Sequence, residues 1–287
     1  FFTLSMGFCT YSAMMIMRRK TRQKCARQKI NSCGIFNLLS PVAMILKTEA
    51  IVLKTMDFRE TSRIATFFTK DYGKVKGILK GIRKDHKKFG SNVDTFSVND
   101  IVYYQYRNSD LHLVSQCDLR NYFFPVRRDL RRSLAASYML ELVNSIMPVE
   151  EQNLDVYQLM LEYLQSLGEI TDIDKLVYIF QIKILSLSGF KPHLDSCLKC
   201  HKKIAGRAKF STHLGGLVCL ACPLSDHAAA ILSSGTVASI LHAEKNNWTH
   251  SLRLTFSTHL KKELKYVLNN FLVFHLGRKL KSAQYLN

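Results

Sequence analysis

The chain has 287 residues, 47% of them hydrophobic, and carries 41 Lys and Arg against 22 Asp and Glu, a formal net charge of +19. A largely disordered chain is excluded, because disorder pairs high charge with low hydrophobicity and only the first is present; the length suits one large domain or two small ones at about 100–200 residues each. So large a positive excess points to a polyanionic partner, nucleic acid or an anionic membrane surface, and charge alone does not choose between them.

No window holds the ~20 continuous apolar residues that a membrane span needs, since even Phe1 to Met17 is interrupted by Thr3, Ser5, Thr10, Tyr11 and Ser12. That apolar run precedes the charges Arg18, Arg19 and Lys20, the reverse of a secretory signal. Residues 1–43 hold seven basic residues, no acidic one and no hydrophobic period. They read as an upstream or disordered extension, with a basic nucleic-acid-binding arm or a targeting peptide as the alternatives. Without those seven, 34 basic residues still face 22 acidic ones, an excess of 12.

From Met44 the pattern turns strand-like. Ala50 to Leu53, Ile64 to Thr69, Val75 to Leu79, Ile101 to Tyr106 and Leu111 to Cys117 read as five short strands, the last two joined by the turn-rich Arg107-Asn108-Ser109-Asp110. Five strands in so short a stretch fit a small Greek-key barrel such as the OB-fold, placed over residues 44–123. Gly73, Gly77, Gly81 and Gly90 suit turns, barrel bends or close backbone approach. Between Lys70 and Gly90 stand Lys70, Lys74, Lys76, Lys80, Arg83, Lys84, Lys87 and Lys88 against Asp71 and Asp85. Lys74 and Lys76 share one strand face and the later charges continue past it, a row of donors suited to phosphates. Tyr72, His86 and Phe89 are candidates for stacking on unpaired bases; a solvated basic loop with core aromatics is the alternative. Of Tyr103, Tyr104 and Tyr106, at least one faces the core.

After Pro125 the period becomes 3.6. Leu130, Leu134, Ala135, Tyr138, Leu142 and Val143 make one helical face that Pro148 ends, and Leu154 to Leu167 and Leu176 to Leu187 repeat the pattern, the latter opened at Thr171-Asp172 and closed by Gly189 and Pro192. This is a helical domain, over 124–192 and again over 225–287. Arg127 with Arg131 and Arg128 with Arg132 stand at helical i, i+4 spacing and read as a solvated face first and a phosphate-binding face second.

Cys197-Leu198-Lys199-Cys200 and Cys219-Leu220-Ala221-Cys222 form two C-x2-C knuckles eighteen residues apart. This spacing matches a zinc ribbon, placed at 193–224, because each knuckle presents two thiolates to one side of a tetrahedral ion. Two disulfides or a redox couple are the alternatives, the latter disfavoured by the duplicated knuckle. Four thiolates would saturate Zn2+, so the expected site is structural. The remaining cysteines, Cys9, Cys25, Cys33 and Cys117, fit a reducing compartment such as the cytoplasm. His242-Ala243-Glu244 matches the H-x-E of zinc deaminases but follows the cysteines instead of preceding them, no Pro precedes either pair, and it falls in an expected helix from Leu232 to Asn246. No nucleotide-binding loop or other catalytic motif appears, so no enzyme is expected.

The order of these parts resembles the bacterial RecO family of recombinational-repair mediators. The resemblance is carried by Lys47 to Thr55, Glu60-Thr61-Ser62-Arg63, Phe68 to Lys74, Lys80-Gly81-Ile82-Arg83-Lys84, the first cysteine knuckle, Gly215 to Cys219 and His275 to Ser282, and residues 1–43 have no counterpart in it. It implies an α+β multidomain architecture: an N-terminal OB-fold β-barrel, then an α-helical domain with an inserted four-cysteine zinc-ribbon module. It further implies a non-enzymatic mediator of the RecF pathway in the bacterial cytoplasm. Such a protein binds single- and double-stranded DNA, anneals complementary strands and, with RecR, helps load RecA onto DNA covered by single-strand-binding protein. The zinc ligands would be Cys197, Cys200, Cys219 and Cys222, and Arg63 with the Lys80 to Lys84 turn would contact DNA, joined by a basic surface at Arg278, Lys279 and Lys281. The acidic C-terminal tail of single-strand-binding protein would dock on the helical domain; the segment Leu176 to Phe180 lacks a basic pair there, and no residue is assigned to it. A zinc-ribbon RNA-binding transcription or translation factor, and an enzyme built on His242 and Glu244, are the competing classes.

Overall fold

The computed structural model describes residues 44–85, 89, 93–224 and 229–286. The extension 1–43, His86, Lys87, Lys88 and Gly90 therefore lie outside the described residues.

The alternating segments become strands β1 (Met44–Phe58), β2 (Ser62–Thr69), β3 (Gly73–Leu79), β4 (Val98–Gln105) and β5 (His112–Asn121), closed into a barrel in the order β1-β2-β3-β5-β4. β1 is long enough to serve two partners: its first half pairs with β4 and its second with β2, so Ala50 faces both Asn99 and Thr69. Closure comes from the parallel β3–β5 pair, at Gly77↔His112 and Ile78↔Leu113. A side chain at position 77 would bring its Cβ to 2.3 Å from Val114 Cγ2, so the seam needs a glycine. Val52, Phe67, Val75, Leu79, Ile101, Tyr103 and Val114 fill the interior, and Tyr103 is the core member of its tyrosine run.

The helical region comprises α1 (Phe124–Arg127), α2 (Leu130–Ile146), α3 (Leu154–Glu169) and α4 (Ile173–Leu187), then, beyond a small sheet, α5 (Ser234–Lys245), α6 (Trp248–Ser251), α7 (Thr258–Leu276) and a 3-10 turn at Ser282–Tyr285. Short polar side chains start them as N-caps: Asp129, Asn153, Asp172, Ser233, Asn247 and Ser257 each accept from a backbone N–H three residues on. Two expectations change here. The arginine pairs do not share one helix, because extended backbone at Asp129 separates α1 from α2. Leu232 belongs to a strand, since Ser233 caps α5 only after it. The sheet is built from β6 (Ala208–Ser211), β7 (Gly216–Cys219) and β8 (Ala230–Leu232), ordered β7-β6-β8. Its Phe210 packs edge-on against Phe271 of α7, with ring centroids 5.7 Å apart.

The barrel is fastened to the helices. Ile51, Leu53, Phe68, Phe96 and Val98 belong to the helical core, not to the barrel interior. Gly73, at φ 65°, lies so close to Glu151 that a Cβ would fall 2.0 Å from its carbonyl oxygen. Buried His112 meets Glu150 at 2.9 Å, and Tyr157 Oη donates to Glu49 at 2.8 Å. Among the described residues, no helix is long and apolar enough to cross a membrane.

Candidate nucleic-acid surface and metal centre

The β1–β2 turn and the chain leaving β3 meet at one end of the barrel. Arg83 N donates to Thr61 O at 3.0 Å and its Nη1 to Arg59 O at 3.2 Å, while Lys84 N and Asp85 N both close onto Gly81 O. Gly81 has φ 81°, a left-handed turn that glycine enters without a Cβ penalty. Ile82, buried, plugs the turn into the barrel core and leaves Lys80, Arg83 and Lys84 exposed around it. Arg63, half-buried and opposite Leu79 in the register, joins them. The carboxylate of Asp57 accepts from Arg63 Nε at 3.0 Å and lies 3.6 Å from Arg83 Nε, so one acid orients two arginines. Arg59, Glu60, Thr61 and Arg83 line an open cleft there. Guanidinium and ammonium donors on a hydrogen-bonded turn, open to solvent, suit phosphate oxygens.

The other expected contacts are distributed differently. Lys76 is exposed on the outer face of β3. Lys70 is exposed at the opposite end of the β2–β3 hairpin, roughly 20 Å from the Lys80 turn at ~3.3 Å per strand residue. Lys74 leaves the DNA-facing set: it shares a face with Lys76, but the helical region covers it. Its ammonium donates to Asn144 O at 2.8 Å and Met147 O at 2.6 Å at the end of α2, and burial, aided by neighbouring Lys76, pushes it below the ordinary lysine range. Lys87 and Lys88 lie outside the described residues. Of the stacking candidates, Phe89 is buried, Tyr72 is half-buried and packs near-perpendicular to Tyr103 against the barrel core, and His86 lies outside the described residues.

Past Gly277, Arg278 Nη2 donates to Ser145 Oγ at 2.8 Å and its guanidinium faces Glu141, leaving Lys279 and Lys281 exposed. Glu141 also accepts from Lys281 N, Ser282 N and Ser282 Oγ. Burial alone would raise its carboxyl, but those hydrogen bonds and the Arg278 charge outweigh it and hold it below the usual carboxylate range.

Between α4 and α5 the four cysteines converge. One ligand atom from each of Cys197, Cys200, Cys219 and Cys222 lies within 4.8 Å of the others, and Cys200 Sγ is 3.8 Å from Cys219 Sγ. Tetrahedral zinc at ~2.3 Å from each sulfur sets that edge at about 3.8 Å, whereas a disulfide needs about 2.05 Å. The described cysteines are all free of disulfides. Backbone N–H groups of Cys200 and Cys219 lower the Cys197 thiol, while hydrogen bonding to Cys219 and Cys200 raises that of Cys222, as expected of thiols close enough to share protons. Lys209 Nζ donates to Leu220 O and Cys222 O, tying the second knuckle to β6. Four thiols with no open corner fit a structural metal ion. His242 is exposed, and Glu244 is ion-paired to Lys191, away from the cysteines.

Comparison with known proteins settles the family. Residues 44–123 match the family model described as "Recombination protein O N terminal" and residues 127–284 the one described as "Recombination protein O C terminal". The chain belongs to the RecO family. It is 31% identical over 245 residues to the "DNA repair protein RecO" of Thermoanaerobacter sp. (strain X514), covering 85% of this chain and 97% of the relative. The protein of the same name from Desulfatibacillum aliphaticivorans is 30% identical, with 83% and 95% coverage, and that of Syntrophus aciditrophicus (strain SB) 29% identical, with 84% and 95%. Two features of this RecO-family chain escaped sequence reasoning, Asp57 as the shared partner of two arginines and Lys74 as a helix cap. Both depend on residues far apart in sequence, and a local pattern carries no signal for them.

Proposed function

We propose that this chain is a DNA-repair and recombination mediator that works without turnover chemistry: it binds single- and double-stranded DNA and anneals complementary strands. With RecR it helps load RecA onto DNA covered by single-strand-binding protein, whose acidic tail docks on the helical domain. The observation that carries the reading is the exposed set Lys80, Arg83 and Lys84, with Arg63 beside it, on a hydrogen-bonded turn at one end of a closed five-stranded barrel. Annealing brings two polyanions together, so its main barrier is charge repulsion. Cationic side chains lower that barrier by displacing counterions from both strands, and base pairing then supplies the driving free energy. Lys279 and Lys281 offer a second cationic surface for the other strand, and no nucleotide is consumed. A zinc ion on Cys197, Cys200, Cys219 and Cys222 clasps the 197–200 knuckle to the end of β7 and takes no part in the chemistry.

The test is annealing of two complementary labelled oligonucleotides coated with single-strand-binding protein, using the full chain without nucleotide. Acceleration that disappears in Lys80→Glu/Arg83→Glu/Lys84→Glu, with fold and zinc content intact, supports the reading. A folded, zinc-loaded chain that prefers RNA and does not accelerate annealing would overturn it.

A further inference from the structure

We propose that Phe124 is a platform on which an unpaired nucleobase stacks, giving the protein a means of favouring single over double strands. The proposal rests on the DNA-binding reading above and adds a contact that the basic turns do not supply.

The ring is the outer end of a packed series that begins in the core. Phe96 is buried; the Arg127 guanidinium lies over its ring at 4.1 Å from the centroid and over that of Tyr122 at 3.8 Å. Phe124 then packs on Tyr122, with centroids 4.9 Å apart and the rings tilted by 59°. Each inner member is pinned. Arg127 Nε donates to Tyr122 O at 2.7 Å and Nη2 to Thr95 O at 2.6 Å, and Tyr122 Oη donates to Asp94 at 2.8 Å. Phe123 adopts φ 52°, a conformation that costs a phenylalanine free energy and that the Asn121 side chain supports by accepting from Phe123 N. That kink turns β5 into α1 and sends the two neighbouring phenylalanines to different places: Phe123 packs against the helical core, and Phe124 remains 61% exposed.

A large aromatic that packs on a pinned neighbour yet is left in water forgoes stabilising burial. Its surroundings indicate what covers it. Arg128, four residues on and so on the same side of the turn, is exposed and its side chain has no partner among the described residues, and Arg131 beyond it makes only a 3.4 Å contact to Asp174. The nearby acids are engaged, Asp94 by Tyr122 and Asp129 as the N-cap of α2. A fixed aromatic face beside a free guanidinium matches a nucleotide, which offers a π-face and a phosphate one backbone step apart. In a duplex both faces of an internal base are occupied by its neighbours, so only a single strand can use Phe124.

The experiment compares the full chain with its Phe124→Ala and Phe124→Trp variants. Each is titrated at one salt concentration with an oligothymidylate, an abasic oligonucleotide of the same length, and a duplex. Phe124→Ala is expected to weaken oligothymidylate binding by about 5- to 100-fold, the range for losing one base–aromatic stack. Affinity for the abasic strand and the duplex stays within about twofold, since phosphate contacts are untouched. Phe124→Trp retains binding, and its new exposed indole is quenched by oligothymidylate above the constant background of buried Trp248. Equal losses on the abasic strand, no loss at all, or an indole blind to the oligonucleotide would overturn the proposal. If Lys80→Glu/Arg83→Glu/Lys84→Glu weakens all three ligands while Phe124→Ala weakens none, the role of Phe124 alone falls. If the triple variant binds all three like the native chain, the DNA-binding reading at that turn falls instead.

Discussion

Lysine in this chain serves two purposes that its count cannot separate. Lys74 donates to Asn144 O and Met147 O at the end of α2, Lys175 to Leu252 O after α6, and Lys183 to Asn246 O after α5. The last carbonyls of a helix lack intrahelical donors and carry the negative end of its dipole, so a buried ammonium is well matched there. Lys74→Met is accordingly expected to lower stability to denaturant by about 1–3 kcal/mol, the cost of leaving buried acceptors unpaired. DNA affinity at fixed salt should not change, and a large loss of affinity without loss of stability would return Lys74 to the binding surface. Two carboxylates work in the opposite sense. Burial would raise Asp172, but hydrogen bonds from Lys261 and Lys175 hold it below its ordinary value, as those from Ser282 and Lys281 do for Glu141. A depressed carboxyl stabilises the fold above its unfolded pKa, and that contribution fades as pH falls through the folded value. Stability measured from neutral pH downward should therefore drop below about pH 4.5, and Asp172→Asn with Glu141→Gln should flatten the drop.

At the scale of elements, two joints organise the chain. The first is the approach of β3 to the segment after α2, where Gly73 has no room for a side chain against Glu151. Gly73→Ala combines a left-handed backbone cost of about 1–2 kcal/mol with forced displacement of Glu151, so the unfolding midpoint should fall by at least that equivalent. An unchanged midpoint would mean that the barrel is not held by this contact. The second joint is the small sheet, whose Phe210 rests on Phe271 while its knuckles hold the four thiols. Cys200→Ser, or a strong chelator, should release one zinc per chain and open the sheet, since the sulfurs that define the knuckles then lose the ion they would share. Metal analysis and amide exchange over residues 208–219 check this together. Exchange that stays slow after the metal is gone would show the sheet to be held by packing alone.

At the scale of the whole molecule the charge is divided among surfaces. Lys80, Arg83, Lys84 and Arg63 gather at one end of the barrel, Lys70 stands at the other, and Lys279 and Lys281 sit past α7. Single-strand affinity should fall with log salt at about 0.7 per phosphate engaged, and the triple-glutamate variant should show a shallower slope. An unaltered slope would place the phosphate contacts elsewhere. Period-two alternation was enough to read five strands, because one face of each meets the barrel interior; cysteine spacing was enough to read the four-cysteine cluster, because a C-x2-C knuckle brings its two thiols together within four residues. Caps such as Asp172 were legible for the same reason, being local chemistry. Lys74 and Lys76 are alike in type and in strand face, and only the helices packed over one of them make it a cap and leave the other in solvent. Tyr72, Phe89 and Phe124 are likewise all aromatics beside basic residues, yet two pack inward and one stands out on a kinked turn. The sequence by itself therefore determined the five barrel strands, the helices before the cysteines, the four-cysteine cluster and the family. Which charges and rings stay open to solvent was decided only by tertiary structure, because exposure depends on what long-range packing lays over each side chain.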